Sequence, residues 1–244
     1  MLRKHLETWE SYPASVRAAM QLIIVDDGSP EPAEPIVRER EDVREVWLQL
    51  YRIKTDIPWN RGGARNLGSY VAETPWLLHM DIDHLLPFDE GCKLANSVSP
   101  NVIYNTKKLS PDYWYRFERW RVGAADETRN KDAIPRDAKF GKIKPHGDSF
   151  IVPRELYWKV GGYNENFSGC LGGGSPFLKQ LEAAAPHGVL PIALHVYTRD
   201  ACPDASVSTL SRDTSEYVRR RRAMEKAGTL KGINPLRFEW ERVL

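Results

Sequence analysis

Three short apolar runs separated by helix-patterned stretches restrict this chain to a layered α/β fold more tightly than any other feature of its sequence. Residues 21–25, Gln-Leu-Ile-Ile-Val, make a β-branched run that stops on the turn-rich string Asp26, Asp27, Gly28, Ser29 and Pro30. Residues 46–53 make a second run. The third, residues 76–80, reads as a buried strand and delivers Asp81, Ile82, Asp83 and His84 at its end. Between the second and third, residues 60–73 carry a helical pattern entered through Arg61, Gly62 and Gly63. Strands alternating with helices predict a doubly wound, mainly parallel sheet. Ligands of such sheets bind outside the C-terminal ends of the strands, so both acidic clusters fall on the expected binding edge.

The rest of the chain is less regular. Residues 2–20 read as a helix broken at Tyr12 and Pro13. Beyond Pro87 the pattern predicts a helix over 90–97, a strand over 102–104, an aromatic segment over 113–120 and a long charged loop over 122–145. Glycine clusters at 161–162 and 172–174 precede a helix over 177–185 and a strand over 189–196, and residues 211–228 read as a charged helix. Neither a repeat nor a linker divides the chain. Residues 1–210 are therefore taken as one domain, with residues 211–244 packed on it as a helical tail.

A chain of 244 residues, 41% hydrophobic and 28% charged, can bury one large core, which excludes disordered and collagen-like classes. No apolar run approaches the roughly 18 residues of a membrane helix. Arg3, Lys4 and Glu7 stand where a secretory leader has its apolar stretch, which predicts a cytoplasmic location. Cys92, Cys170 and Cys202 are too widely spaced for a disulfide framework or a zinc site. A net charge of +2 does not mark a nucleic-acid binder.

Asp81 and Asp83 lie two apart at the irregular exit of a strand. Both carboxylates can turn toward one point there and offer oxygen ligands to a hard divalent cation, or else serve as two capping aspartates. Arg61 and Arg65 at a helix start suit a diphosphate, because free backbone N–H groups and guanidinium forks both favour anions. A cation flanked by phosphate-binding groups points to nucleotide chemistry.

The sequence resembles a family at these positions. The strand end Ile23-Ile24-Val25-Asp26-Asp27-Gly28-Ser29, the block Gly63-Ala64-Arg65-Asn66-Leu67-Gly68 and Asp81-Ile82-Asp83 are similar to the nucleotide-binding, helical and metal-binding motifs of family 2 glycosyltransferases. More closely, Trp59-Asn60-Arg61, Leu78-His79-Met80-Asp81-Ile82-Asp83, Gly161-Gly162-Tyr163-Asn164-Glu165-Asn166-Phe167, the segment around His195 and residues 231–236 look like the β-1,4-galactosyltransferase type. The resemblance runs from Leu22 to Leu236 in unbroken order, so its specificity lies in the combination.

It implies a GT-A fold, Rossmann-like with a mixed central sheet, and transfer of a hexose from a nucleotide donor, a UDP-sugar, to a glycan or other hydroxyl acceptor with Mn²⁺ or Mg²⁺. Carried over residue by residue, Asp26 or Asp27 contacts the nucleoside, and Asn60, Arg61 and Arg65 belong to the donor site. Asp83 and His195 become metal ligands, with Asp81 beside the metal and the sugar or ribose. His84 and His146 are rival ligands. Two departures stand out. The family's first strand, expected beneath the nucleobase, has no counterpart before residue 2, and residues 169–176 hold no carboxylate where relatives carry their catalytic base. Glu165 and Asp148 are the substitute candidates. A weakened relative that binds sugar nucleotides without turnover is the alternative reading. Arg219 to Arg222 and the aromatic rings of 113–120, Trp114 and Trp120 among them, raise a further one, an acceptor of nucleic acid, although those two tryptophans would equally stack on sugars.

Overall fold

The computed structural model describes residues 1–40, 48–98, 108–123, 140–145, 147, 149–203, 213–231 and 235–244. The N-terminal stretch forms α1 (Leu2–Ser11) and α2 (Ala14–Ala18). Leu2, Leu6 and Trp9 recur at helical spacing and pack inward, Leu6 completely. The break falls at Tyr12, which is extended (φ −65°, ψ 145°) because Pro13 follows it. Strand β1 (Leu22–Asp26) leads through α3 (Glu34–Arg38) to β2 (Leu48–Ile53), and α4 (Arg61–Val71) follows. Then come β3 (Trp76–His79), the short β4 (His84–Leu85) and α5 (Phe88–Val98).

The second half holds β5 (Trp114–Val122), β6 (Phe140–Ile143), β7 (Phe150–Pro153), α6 (Arg154–Lys159), α7 (Ser175–Ala184), β8 (His187–Tyr197), α8 (Ser215–Ala227) and β9 (Trp240–Arg242). The expected strand over 102–104 lies outside the described residues. The charged stretch 122–145 is not all loop: its end, Phe140–Ile143, alternates exposed and buried and pairs with β5. The tail is not all helix either, since β9 pairs antiparallel with β2. α8 stops at Gly228, whose φ of +68° closes a left-handed cap with Thr229 N donating to Met224 O.

Among the described residues the strands form two sheets, in the orders β1-β2-β9 and β3-β7-β5-β8-β4, with β6 also on β5. The expected parallel character holds for β1 with β2 and for β5 with β8. The other pairings among the described residues are antiparallel, so the architecture is mixed α/β. Trp114, Phe150, Tyr157, Phe177 and Leu181 form one core cluster beneath α6 and α7, all within 1% exposure. Leu6, Trp9, Tyr12, Val37 and Leu50 form another beneath α1 and α3. α4 touches both sheets. Its Gly68 approaches Ile23 and Val25 of β1, and its Ser69 hydroxyl bonds to His79 of β3 at 3.1 Å. No helix among the described residues is long and apolar enough to cross a membrane.

Candidate donor site

The ends of β1 and β3 and the start of α4 build the site. Trp59 takes a left-handed conformation (φ 50°) to turn the chain into α4, and Asn60 behind it is fully buried. The Asn60 N–H donates to Asp27 Oδ2 at 3.0 Å, and its side-chain oxygen accepts from Ser168 Oγ at 2.9 Å. Asp26 and Asp27 part company here. Asp26 accepts from Ser29 N, Ala33 N and Arg52, which fastens its own loop. Asp27 instead turns toward α4 and keeps an exposed face. Partial burial pushes its pKa up to about 6, the Asn60 N–H pulls it down, and the charges of Asp26 and Asp56 add to the rise.

Across the α4 start, Asp81 receives two guanidinium groups. Arg65 donates to Oδ1 at 2.6 Å, and Arg61 stands 3.7 Å from Oδ2. Arg65 is almost buried, and its other nitrogen donates to Tyr163 Oη at 2.7 Å. Asn66, fully buried, extends this network. Its amide donates to Tyr163 O and to Glu165, and its oxygen accepts from Tyr157 Oη and Tyr163 N. Tyr163 and Asn66 stand in the resembling motifs without a role of their own, and only the assembled network supplies one. The glycine-rich segment 169–176 borders the same edge: a Cβ at Gly174 would come within 2.9 Å of Arg61.

Asp83 is 4% exposed and its carbonyl accepts from Tyr197 N, which ties the Asp81–Asp83 turn to β8. His84 is also buried, with Nδ1 bonded to Ser149 Oγ and Nε2 4.0 Å from Asp83 Oδ1. His195 lies on β8. Directly opposed residues share a sheet face, so His195 stands with Leu85 and Trp120, and its ring meets Phe140 edge-on at 5.6 Å. Burial lowers its pKa, with the Glu90 charge opposing. Among the described residues no three His, Cys, Asp or Glu side chains are close enough to hold a metal ion together, so His195 does not complete a group with Asp81 and Asp83 in this structure.

Glu165 stands at the start of the short turn that follows Asn164. Its carboxylate accepts from Asn66 Nδ2 (2.8 Å), Leu236 N (2.7 Å) and Arg237 N (3.2 Å), so it anchors the C-terminal segment to α4. Asp148 and His146 lie outside the described residues. The arginine run of α8 is largely self-paired: Arg219 and Arg220 bond to Glu216, Arg221 to Glu225, and Arg220 also to the carbonyls of Asn166 and Ser168. Trp114 is fully buried and cannot serve as a stacking surface.

Two solved structures share the fold. GalNAc-T7 with UDP, GalNAc and Mn²⁺ aligns over 80% of this chain and 40% of its own, with a TM-score of 0.56 and 12% identity. The mannosyltransferase PcManGT from Pyrobaculum calidifontis, in complex with GDP-Man and Mn²⁺, aligns over 96% and 61%, with a TM-score of 0.52 and 16% identity. The chain thus spans less than two thirds of either. A sequence search of curated proteins gives no match. Residues 12–187 match the model described as glycosyltransferase like family 2, and the chain belongs to that family, with a GT-A fold.

Proposed function

We propose that the protein transfers a hexose from a nucleotide diphosphate donor, a UDP-sugar, to the hydroxyl of a glycan acceptor. The observation that carries this reading is the convergence of Arg61 and Arg65 on Asp81 at the start of α4, with Asp27 across from them. Guanidinium groups and the N–H groups of the first turn of α4 would hold the diphosphate. Asp27 would accept from the nucleoside. Asp81 and Asp83 fit a Mn²⁺ or Mg²⁺ ion, since such ions take one or two protein carboxylates and complete their shell with substrate phosphate oxygens. Asp81 keeps a quarter of its side chain exposed for that purpose. When bound, the ion neutralises charge on the leaving diphosphate. His195 is left out of the proposed set.

The neighbours support the donor class: GalNAc-T7 was solved with UDP and GalNAc, and PcManGT with GDP-Man. A second reading, binding without turnover, draws support from Glu165, whose carboxylate is occupied, and from segment 169–176, which holds no acid. Asp148 is the remaining candidate base. The test is thermal stabilisation by UDP- and GDP-sugars with and without Mn²⁺, followed by detection of hydrolysed or transferred sugar. Stabilisation with turnover supports the transferase, and stabilisation alone supports the binder. If no nucleotide sugar raises Tm, and Asp81→Asn with Asp83→Asn changes nothing, both readings fail.

A further inference from the structure

Strands β6, β5 and β8 turn alternate side chains to opposite faces, and one of those faces stays partly open. Along β8 the alternation is strict. Leu190, Ile192, Leu194 and Val196 are buried, whereas Val189, Pro191, Ala193, His195 and Tyr197 keep surface exposed, Val189 to 51%. Register carries the open face across the sheet: Trp120 stands opposite His195 on one side and Lys142 on the other, and Val122 stands opposite Tyr197 and Phe140. The rings on it touch. Phe140, 54% exposed, lies 5.1 Å from the half-buried Trp120 at a 32° tilt and meets His195 edge-on.

Charge on this face is matched. Lys142 bonds to Glu118 at 2.7 Å, and Arg116, opposite Val189, bonds to Glu182 of α7, while Arg121 is turned to the buried side. At the rim Lys4 of α1 lies 5.0 Å over the Tyr197 ring, and Glu90 of α5 accepts from Ala193 N. A nucleic-acid strand needs a basic groove to follow its backbone, and this face offers none among the described residues. What it does offer is a set of open rings and aliphatic side chains with an ion pair between them. A sugar ring is complementary to that mixture: its C–H face packs on an aromatic face, and its hydroxyls reach the ammonium and carboxylate at the edge. The face also starts at the donor edge, because Tyr197 N donates to Asp83 O and Thr198 N to Val122 O. From Tyr197 to Val189 it extends on the order of 25 Å, room for several linked sugar rings.

We propose that this face binds an uncharged oligosaccharide, laid along β8 with its rings on Trp120 and Phe140 and one end beside Tyr197. The chemical class of the ligand rests on the face itself; its place as the acceptor rests on the transferase reading, since the end beside Tyr197 is the end nearest the Asp81–Asp83 turn. Trp120 and Phe140 then act in binding and carry no part of the chemistry.

The experiment titrates the full chain, without any nucleotide sugar, by calorimetry. The probes are glucose, mannose and N-acetylglucosamine oligomers, each as a disaccharide and a hexasaccharide, with an oligogalacturonate and a single-stranded oligonucleotide as charged comparisons. At least one neutral hexasaccharide should bind, about tenfold tighter than its disaccharide and more tightly than either charged probe. Trp120→Ala and Phe140→Ala should each weaken it by about tenfold, and Trp120→Phe should bind like the parent chain. Phe140→Ala changes a side chain more than half exposed, so the test holds even if Trp120→Ala does not fold. No binding by any neutral hexasaccharide, tighter binding of either charged probe, or a Kd untouched by Phe140→Ala overturns the proposal. Equal affinity for disaccharide and hexasaccharide overturns the extended track. Stabilisation by UDP-sugars, measured separately, should be the same in Phe140→Ala and the parent chain; its absence from both removes the transferase reading and leaves the glycan titration to stand or fall alone.

Discussion

Asp26 and Asp27 are adjacent acids with opposite duties, and only their hydrogen bonds separate them. Both readings of that pair are open in the sequence, because a string of two aspartates at a strand end does not say which carboxylate its own loop will consume. Asp27 carries a pH signature. The folded chain retains its proton up to about pH 6, whereas an unfolded aspartate releases it at about pH 3.9. The folded state therefore binds more protons between those values, so this group's contribution is present at low pH and is lost as pH rises toward 6. Asp27→Asn should flatten that part of the Tm profile between about pH 4 and 6.5; identical profiles would show that Asp27 does not set it. Tyr163 offers a second measurement. Tyr163→Phe takes an acceptor from buried Arg65 and should cost about 1.5–3 kcal/mol in urea unfolding, with weaker donor binding as Arg65 loses its hold beside Asp81. A loss of stability with unchanged donor affinity would make the contact purely structural. Glu165→Gln separates anchor from base in the same way. As an anchor, its loss should speed amide exchange at Leu236 and Arg237; a drop in transfer with those amides still protected would restore it as a base.

Elements closed by clear turn or cap signals are legible in the amino-acid sequence alone: β1, α4 and β3 fall within two residues of their expected bounds, and acidic turns follow β1 and β3. What escapes is short or of mixed polarity. β5 interleaves Arg116, Glu118, Arg119 and Arg121 with aromatic residues, so its charges mask a strand that pairs on both edges. β7 is a four-residue buried run directly ahead of α6, and β9 has three residues, too few for any period to register. His195 enters the expected ligand set by motif alone. Within α4 the glycines are not equivalent. A Cβ at Gly63 would lie 2.3 Å from the buried Asn60 side chain and 2.6 Å from Phe238, whereas at Gly68 it would meet only ordinary contacts with Val25 and Ile23. Gly63→Ala should therefore lower Tm. Gly68→Ala should raise stability by about 0.5–1 kcal/mol through helix propensity. The same sign for both would contradict the packing assigned to the helix.

At the scale of the whole molecule, the first sheet is completed by the last strand. Ile53 pairs with Trp240, Leu50 exchanges backbone bonds with Val243 and Leu244, and the Trp240 ring packs edge-on against Tyr51 and Tyr70. Trp240→Ala should cost about 1.5–3 kcal/mol, read from the denaturant midpoint. An unchanged midpoint would show that β9 adds nothing to the fold. The pairing of β2 with β9 also sets a schedule for the nascent chain. At about 5–20 residues per second, a ribosome that has released β2 needs roughly 10–40 s to make its partner. Throughout that interval the edge of β2 that β9 covers lacks its strand, so the first sheet closes only after the rest of the chain has been made.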